Sequence, residues 1–136
     1  MTKEKKHQTS AHKHGSVLVI GGGISGIQSS LDLADAGFKV YIVDRGLSIG
    51  GTMTQLDKTF PTNDCAMCIL APKLVYTGRH ENIRIITNAE VTDVTGEVGN
   101  FHVTLKKHPR FVDLTKCNGC GHCVLHCPVT MRGEFD

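Results

Sequence analysis

The sequence predicts an α/β fold: a β-α-β half of the doubly wound kind, then a small β-hairpin or meander, then a short cysteine-rich module. Three observations carry this. Val17-Leu18-Val19-Ile20 is a continuous apolar run that opens directly into Gly21-Gly22-Gly23. Beyond it, Ile24, Ile27, Leu31 and Ala34 recur at steps of three and four, the stripe of an amphipathic helix. Near the far end, Cys117, Cys120, Cys123 and Cys127 crowd into eleven residues.

Each element follows from local chemistry. Residues 1–15 are polar, basic and rich in His, without periodicity, and read as a disordered basic tail. The run Val17–Ile20 suits a parallel strand buried on both faces. The helix spans Ile24 to Ala36 and ends at Gly37, which can take a left-handed C-terminal cap. Lys39 to Val43 is rich in β-branched residues and forms the second strand. Arg45 to Thr62 has no clean period and reads as a long functional loop holding at most a short helical turn. Pro72 to Gly78 is expected as a short helix with Pro at its start. Ile83 to Thr87 is a strand. Glu90 to Thr95 and Phe101 to Lys107 pair as a hairpin around Gly96 to Asn100, with Phe101, Val103 and Leu105 facing inward. His108-Pro109 breaks it. Residues 16–110 therefore form one incomplete nucleotide-binding-type domain, and residues 111–136 an incomplete cysteine module.

Composition narrows the function. Of 136 residues, 40% are hydrophobic and 21% charged, the balance of a globular chain. A net charge of +2, with its basic excess in the first fourteen residues, gives no reason to expect nucleic acid. No apolar run approaches the roughly 20 residues of a membrane span. The N-terminus lacks the apolar stretch of a secretory signal, so a cytoplasmic location is expected. In that reducing compartment, crowded cysteines favour metal ligation over disulfides.

The segment Gly21-Gly22-Gly23-Ile24-Ser25-Gly26 fits G-x-G-x-x-G in its proper context, strand before and helix after. In such a Rossmann-like turn Gly21 permits the tight bend, Gly23 lets backbone approach a pyrophosphate, and Gly26 allows close helix–strand packing. The helix start adds free N–H groups and partial positive charge. Asp44, ending the second strand, is placed to accept from ribose hydroxyls. Asp44-Arg45, four residues, then Gly50-Gly51 favours FAD over a nicotinamide cofactor, because a second glycine pair brings another backbone stretch against the dinucleotide. NADH binding remains the rival use of the same turn.

The spacing C-x2-C-x2-C-x3-C-P at Cys117, Cys120, Cys123, Cys127 and Pro128 is the run that binds a 4Fe-4S cluster in bacterial ferredoxins. Zinc sites prefer two C-x2-C pairs held well apart. In two-cluster ferredoxins the fourth Cys serves the other cluster, which leaves the assignment of Cys127 open. For Cys65 and Cys68 three readings stand together: buried structural thiols, a redox pair, or ligands of another metal centre.

Val17 to Gly26, Gly50-Gly51, the stretch Gln55-Leu56-Asp57-Lys58-Thr59-Phe60-Pro61-Thr62, Asp64 to Lys73, Gly99-Asn100-Phe101 and the cysteine run together resemble the A subunit of heterodisulfide reductase. The resemblance covers almost everything from Val17 to Val129. It implies a cytoplasmic, anaerobic electron-transfer subunit that receives electron pairs at FAD and splits them by bifurcation between ferredoxin and a heterodisulfide-reducing partner. By position it assigns Gly21, Gly23, Gly26, Asp44, Arg45, Gly50, Gly51 and Thr52 to FAD, and Cys117, Cys120, Cys123 and Cys127 to clusters. It further implies other heterodisulfide-reductase-like subunits as partners, with a hydrogenase or formate dehydrogenase as electron donor. Members of this family continue into further cluster and flavin-contacting segments, and Asn63 stands where they carry an apolar residue. A half-site for FAD is therefore expected, binding weakly alone. The contrasting expectation is an interaction module, stabilised by metal or cluster, without redox turnover.

Overall fold

The computed structural model describes residues 15–113 and 115–129. The expected N-terminal tail lies almost wholly outside them. Three parallel strands, β1 (Ser16–Ile20), β2 (Lys39–Asp44) and β5 (Ile83–Thr87), form a sheet in the order β1-β2-β5. Register runs from Ser16 opposite Lys39 to Ile20 opposite Val43, and from Val40 opposite Ile83 to Asp44 opposite Thr87. β2 is central, with Val40, Ile42 and Val43 buried. The expectation that the first strand is buried on both faces fails: β1 is an edge strand, and Ile20 is 66% exposed. Among the described residues β1 has one pairing neighbour, β2.

Helix α1 (Ile24–Asp35) buries Ile27, Ser30 and Ala34, and Ala34 joins Val40 and Ile42 in the main core. Val19, Leu33, Phe38, Ile49, Ile83 and Ile85 pack around that cluster. The helix stops as expected at Gly37, whose φ is +95°. Gly37 N–H donates to Ala34 O (3.0 Å) and Phe38 N–H to Leu33 O (3.1 Å), the paired bonds of a Schellman cap.

The long loop holds more order than one helical turn. A 3₁₀ turn at Gly51–Gln55 is followed by a two-residue ladder of β3 (Lys58–Thr59) with β4 (Asp64–Cys65). Helix α2 then spans Ala66–Arg79, beginning six residues before the expected start. Pro72 lies inside it rather than at its first position. Pro removes one backbone N–H, but Ala66 and Leu70 are fully buried and fix the preceding turn against the rest of the domain. Tertiary burial outweighs the local signal. α2 packs against α1, where Lys73 Nζ donates to Gln28 Oε1, and His80 Nε2 lies 3.2 Å from Asp35 Oδ1.

β6 (Ala89–Glu97) and β7 (Asn100–Lys107) form the expected hairpin, with a bulge between Val91 and Asp93. Ala89 is fully buried at its base, but Phe101 is 59% exposed, so the expected inward alternation is limited to half-buried Val103 and Leu105. The hairpin is a separate two-stranded sheet, and Val94, Phe101 and Val103 on it face β1 across a cleft. After it, the described residues hold a single helical turn, α3 (His122–Leu125).

Candidate functional site

The glycine turn joins β1 to α1 and is held from three sides. Gly21 N–H donates to Val43 O (2.8 Å), tying the strand exit to β2. Gly22 N–H donates to Asp44 Oδ2 (2.5 Å), and Gly46 N–H to Asp44 Oδ1 (2.6 Å). Gly50 N–H donates to Gly22 O (2.7 Å), so the second glycine pair lies directly on the first turn. A side chain at Gly51 would come within 3.0 Å of Gly23 Cα. At Gly26 a Cβ would sit 1.9 Å from Gly21 O, which is the close helix–strand packing the motif calls for.

Gly23 differs from these. It caps α1 without any side-chain hydrogen bond to the helix start, and a Cβ built there meets nothing within 4 Å. The first turn of α1 thus presents its amides, uncapped by side chains, to open space. That combination fits an anionic diphosphate, which would take up these donors and the positive end of the helix dipole.

Asp44 plays a structural part beyond the expected one. Each of its carboxylate oxygens already accepts a backbone N–H, and both keep further acceptor capacity. A cleft of about 380 Å³ opens beside it, lined by Ile20, Gly21, Val43, Asp44, Arg45, Ala89, Glu90 and Val91. The cleft lies at the carboxyl ends of β1 and β2, where ligands bind in open α/β sheets. Arg45 lines it and is exposed; Thr52 is exposed in the 3₁₀ turn. Sequence reasoning missed two contributors. Ile49 packs over the turn, since a Cβ at Gly22 would meet its Cγ2 at 2.6 Å. Glu90 closes the cleft from β6 and is held by His108 Nε2 (3.3 Å) and Lys106 Nζ (3.7 Å). Neither belongs to a periodic motif, and only the tertiary fold brings them there.

Cys117, Cys120, Cys123 and Cys127 are all exposed and unbonded to one another. Gly119 (φ +71°) and Gly121 (φ +79°) take left-handed conformations that let the chain curl between successive thiols. Among the described residues no group of three or more metal-ligating side chains is assembled, so the four sulfurs are not gathered into a cage. The donor set fits a 4Fe-4S cluster in chemistry and spacing. Drawing the four sulfurs together would fall to the iron–sulfur bonds themselves, as where binding and folding are coupled. Upstream, Asp113 accepts from Thr115 Oγ1 (2.7 Å) and Thr115 N–H (2.9 Å). The Thr115 hydroxyl first, and its N–H second, hold the Asp113 carboxyl below its ordinary pKa.

Cys65 and Cys68 stand elsewhere, at the start of α2, joined as a disulfide. Both are exposed, which removes the reading of buried structural thiols.

The strand, glycine turn and closing second loop define a chain of the FAD-binding oxidoreductase class. The family model for FAD dependent oxidoreductases matches residues 16–68, and that for the 4Fe-4S binding domain matches residues 110–130. These matches bear out FAD and a 4Fe-4S cluster as the cofactors. Over most of its length the chain is similar to heterodisulfide reductase A subunits. It is 61% identical over 121 residues, 89% of its length, to the first iron-sulfur A subunit of the CoB--CoM heterodisulfide reductase of Methanopyrus kandleri. It is 60% identical over 119 residues, 88% of its length, to the A subunit of the H(2):CoB-CoM heterodisulfide,ferredoxin reductase of Methanothermobacter thermautotrophicus. The chain spans 18% of the length of each of these relatives.

Among solved structures the fold is similar to L-proline dehydrogenase from P. horikoshii, with a TM-score of 0.54 and 22% identity over 71% of this chain and 20% of that one. Thioredoxin reductase of T. acidophilum aligns with a TM-score of 0.56 and 17% identity over 68% of this chain and 31% of that one. Both likenesses support the α/β fold. No helix among the described residues is long and apolar enough to cross a membrane.

Proposed function

We propose that this chain is the flavin-binding and first iron–sulfur segment of a cytoplasmic, anaerobic, heterodisulfide-reductase-like electron-transfer subunit. The observation that carries the reading is the double glycine cradle: Gly50 bonded to Gly22, beside a helix start uncapped by any side chain. Gly21, Gly23 and Gly26 shape the seat for the FAD diphosphate, and Gly50, Gly51 and Thr52 close over it. Asp44 holds the turn and offers its remaining lone pairs to the ribose, while Arg45 lines the same cleft. Cys117, Cys120, Cys123 and Cys127 supply thiolates to the iron–sulfur centre, with Cys127 serving either that cluster or a neighbouring one. A bound flavin would accept electrons in pairs and could release them one at a time to a one-electron cluster, which is the chemistry an electron-splitting protein needs.

The relatives are named as A subunits, which supports a multi-subunit assembly. Its other members are heterodisulfide-reductase-like subunits, with ferredoxin as one acceptor and a hydrogenase or formate dehydrogenase as donor. Residues 16–110 act as the flavin unit and 111–136 as the cluster unit. Anaerobic reconstitution with iron, sulfide and FAD tests this. The reading expects a brown protein carrying about four iron per cysteine run, with FAD bound in preference to NADH. A colourless protein with one zinc, or preference for NADH, contradicts it.

A further inference from the structure

Cys65 and Cys68 lie outside both the glycine turn and the run Cys117 to Cys127, and we propose that they are a redox-active dithiol–disulfide pair that exchanges two electrons with low-molecular-weight disulfides and thiols. This goes beyond the flavin and cluster roles.

Placement argues for reactivity. Cys65 is the N-cap of α2, a 14-residue helix, and Cys68 lies in its first turn. Their Cα atoms are 5.2 Å apart, and both side chains are exposed. Cys68 N–H donates to Cys65 Sγ at 3.1 Å, so the backbone offers that sulfur a donor which would favour its thiolate. Independently of the helix, Cys65 is the direct cross-strand partner of Lys58 in the β3–β4 ladder. Opposed residues in such a ladder share a face, so the Lys58 side chain leaves the ladder on the same side as Cys65 and its charge is within reach of the sulfur. A cation beside a thiol at a helix start is the setting that lowers thiol pKa.

The alternatives fit less well. A disulfide closing so short a loop gains the least from chain entropy, and α2 is already fixed by buried Ala66 and Leu70. Among the described residues no third metal ligand accompanies the pair.

The two sulfurs have distinct parts. The Cys65 thiolate attacks one sulfur of a disulfide RS–SR; a Cys65–S–S–R bond forms, the RS–SR bond breaks, and RS⁻ leaves with the proton Cys65 gave up. The Cys68 thiolate then attacks Cys65 Sγ, closing Cys65–Cys68 and releasing the second RS⁻, which takes the Cys68 proton. The pair is oxidised by two electrons and RS–SR is reduced to two RSH. An excess of a small thiol runs the sequence backwards.

Trypsin cleavage after Lys58 and Lys73 isolates both cysteines on one peptide, residues 59–73, separate from the cluster cysteines beyond Lys116. The folded chain is equilibrated in mixtures of glutathione and its disulfide, alkylated, digested and weighed. The proposal expects this peptide to pass reversibly between two labels and none. It also expects Cys68→Ser, which keeps Cys65, to form the mixed disulfide at least about tenfold faster than Cys65→Ser. A peptide that changes state only on unfolding, thiols protected by metal, or equal rates in the two variants would overturn it. The wild-type titration decides even if a variant fails to fold.

Discussion

The packing of α1 against the glycine turn makes a quantitative prediction for Gly26→Ala. The new Cβ would lie 1.9 Å from Gly21 O, 3.1 Å from Gly21 C and 3.4 Å from Val19 Cγ1. An ordinary contact to that oxygen needs more than 1 Å of extra separation, and the atom is backbone, fixed by the bonds of Gly21 to Val43 and of Gly22 to Asp44. Overpacking of this severity costs about 3 kcal/mol. Exchanging Gly for Ala within a helix returns about 1 kcal/mol. The net loss of about 2 kcal/mol lowers the folded-to-unfolded ratio roughly thirty-fold. With a urea slope near 2 kcal/mol per molar, the denaturation midpoint falls by about 1 M. Gly78→Ala is the control, because a Cβ there meets nothing within 4 Å on α2. That variant gains up to about 1 kcal/mol. Urea melts followed by circular dichroism compare the two. If Gly26→Ala matches or exceeds the wild type, the close approach and the reasoning from it are wrong.

Further outcomes follow from other contacts. Leu70→Ala empties a fully buried position on α2 and is expected to cost about 2–5 kcal/mol in the same melts. Asp44→Ala strips acceptors from Gly22 and Gly46; a loss of about 1–3 kcal/mol is expected, with FAD affinity weakened in equilibrium dialysis. Cys120→Ser is expected to remove cluster iron by elemental analysis while FAD binding persists; unchanged electron flow in the assembled complex would favour the interaction-module reading instead. Asp113 has a folded pKa below its unfolded value, so its small contribution is present above the unfolded pKa and lost as pH falls through the folded one. A carbon-detected NMR titration should show a midpoint below the ordinary Asp range, and Thr115→Val should raise it.

Much of the fold was legible because its signals are local. The β1–turn–α1–β2 run, the Gly37 cap and the Ile83–Thr87 strand are set by apolar period and glycine chemistry, and the structure has them within a residue or two. The misses have one common source in tertiary context. Pro72 marked a helix start by propensity, yet burial of Ala66 and Leu70 extends α2 backwards through the Cys65–Cys68 pair. The run Val17–Ile20 reads as a strand buried on both faces, while β1 is only half-buried at Val17–Val19 because burial depends on which elements cover it. Phe101 alternates correctly but stands on a ribbon too narrow to bury it. At the site, the spacing disclosed the glycine cradle and the four thiols. The structural use of the Asp44 carboxylate, and the places of Ile49 and Glu90, depend on contacts between segments remote in sequence.

The central claim is that the open space over Gly23 seats an anionic diphosphate of FAD, and Gly23→Asp tests it most directly. Asp is a favoured N-cap, its Cβ meets no protein atom within 4 Å, and its charge suits the helix start. The variant should therefore melt no lower than the wild type while placing a carboxylate where the diphosphate would lie. The account predicts an intact fold with FAD affinity reduced at least about tenfold in a fluorescence titration. An intact fold that binds FAD as before would contradict it.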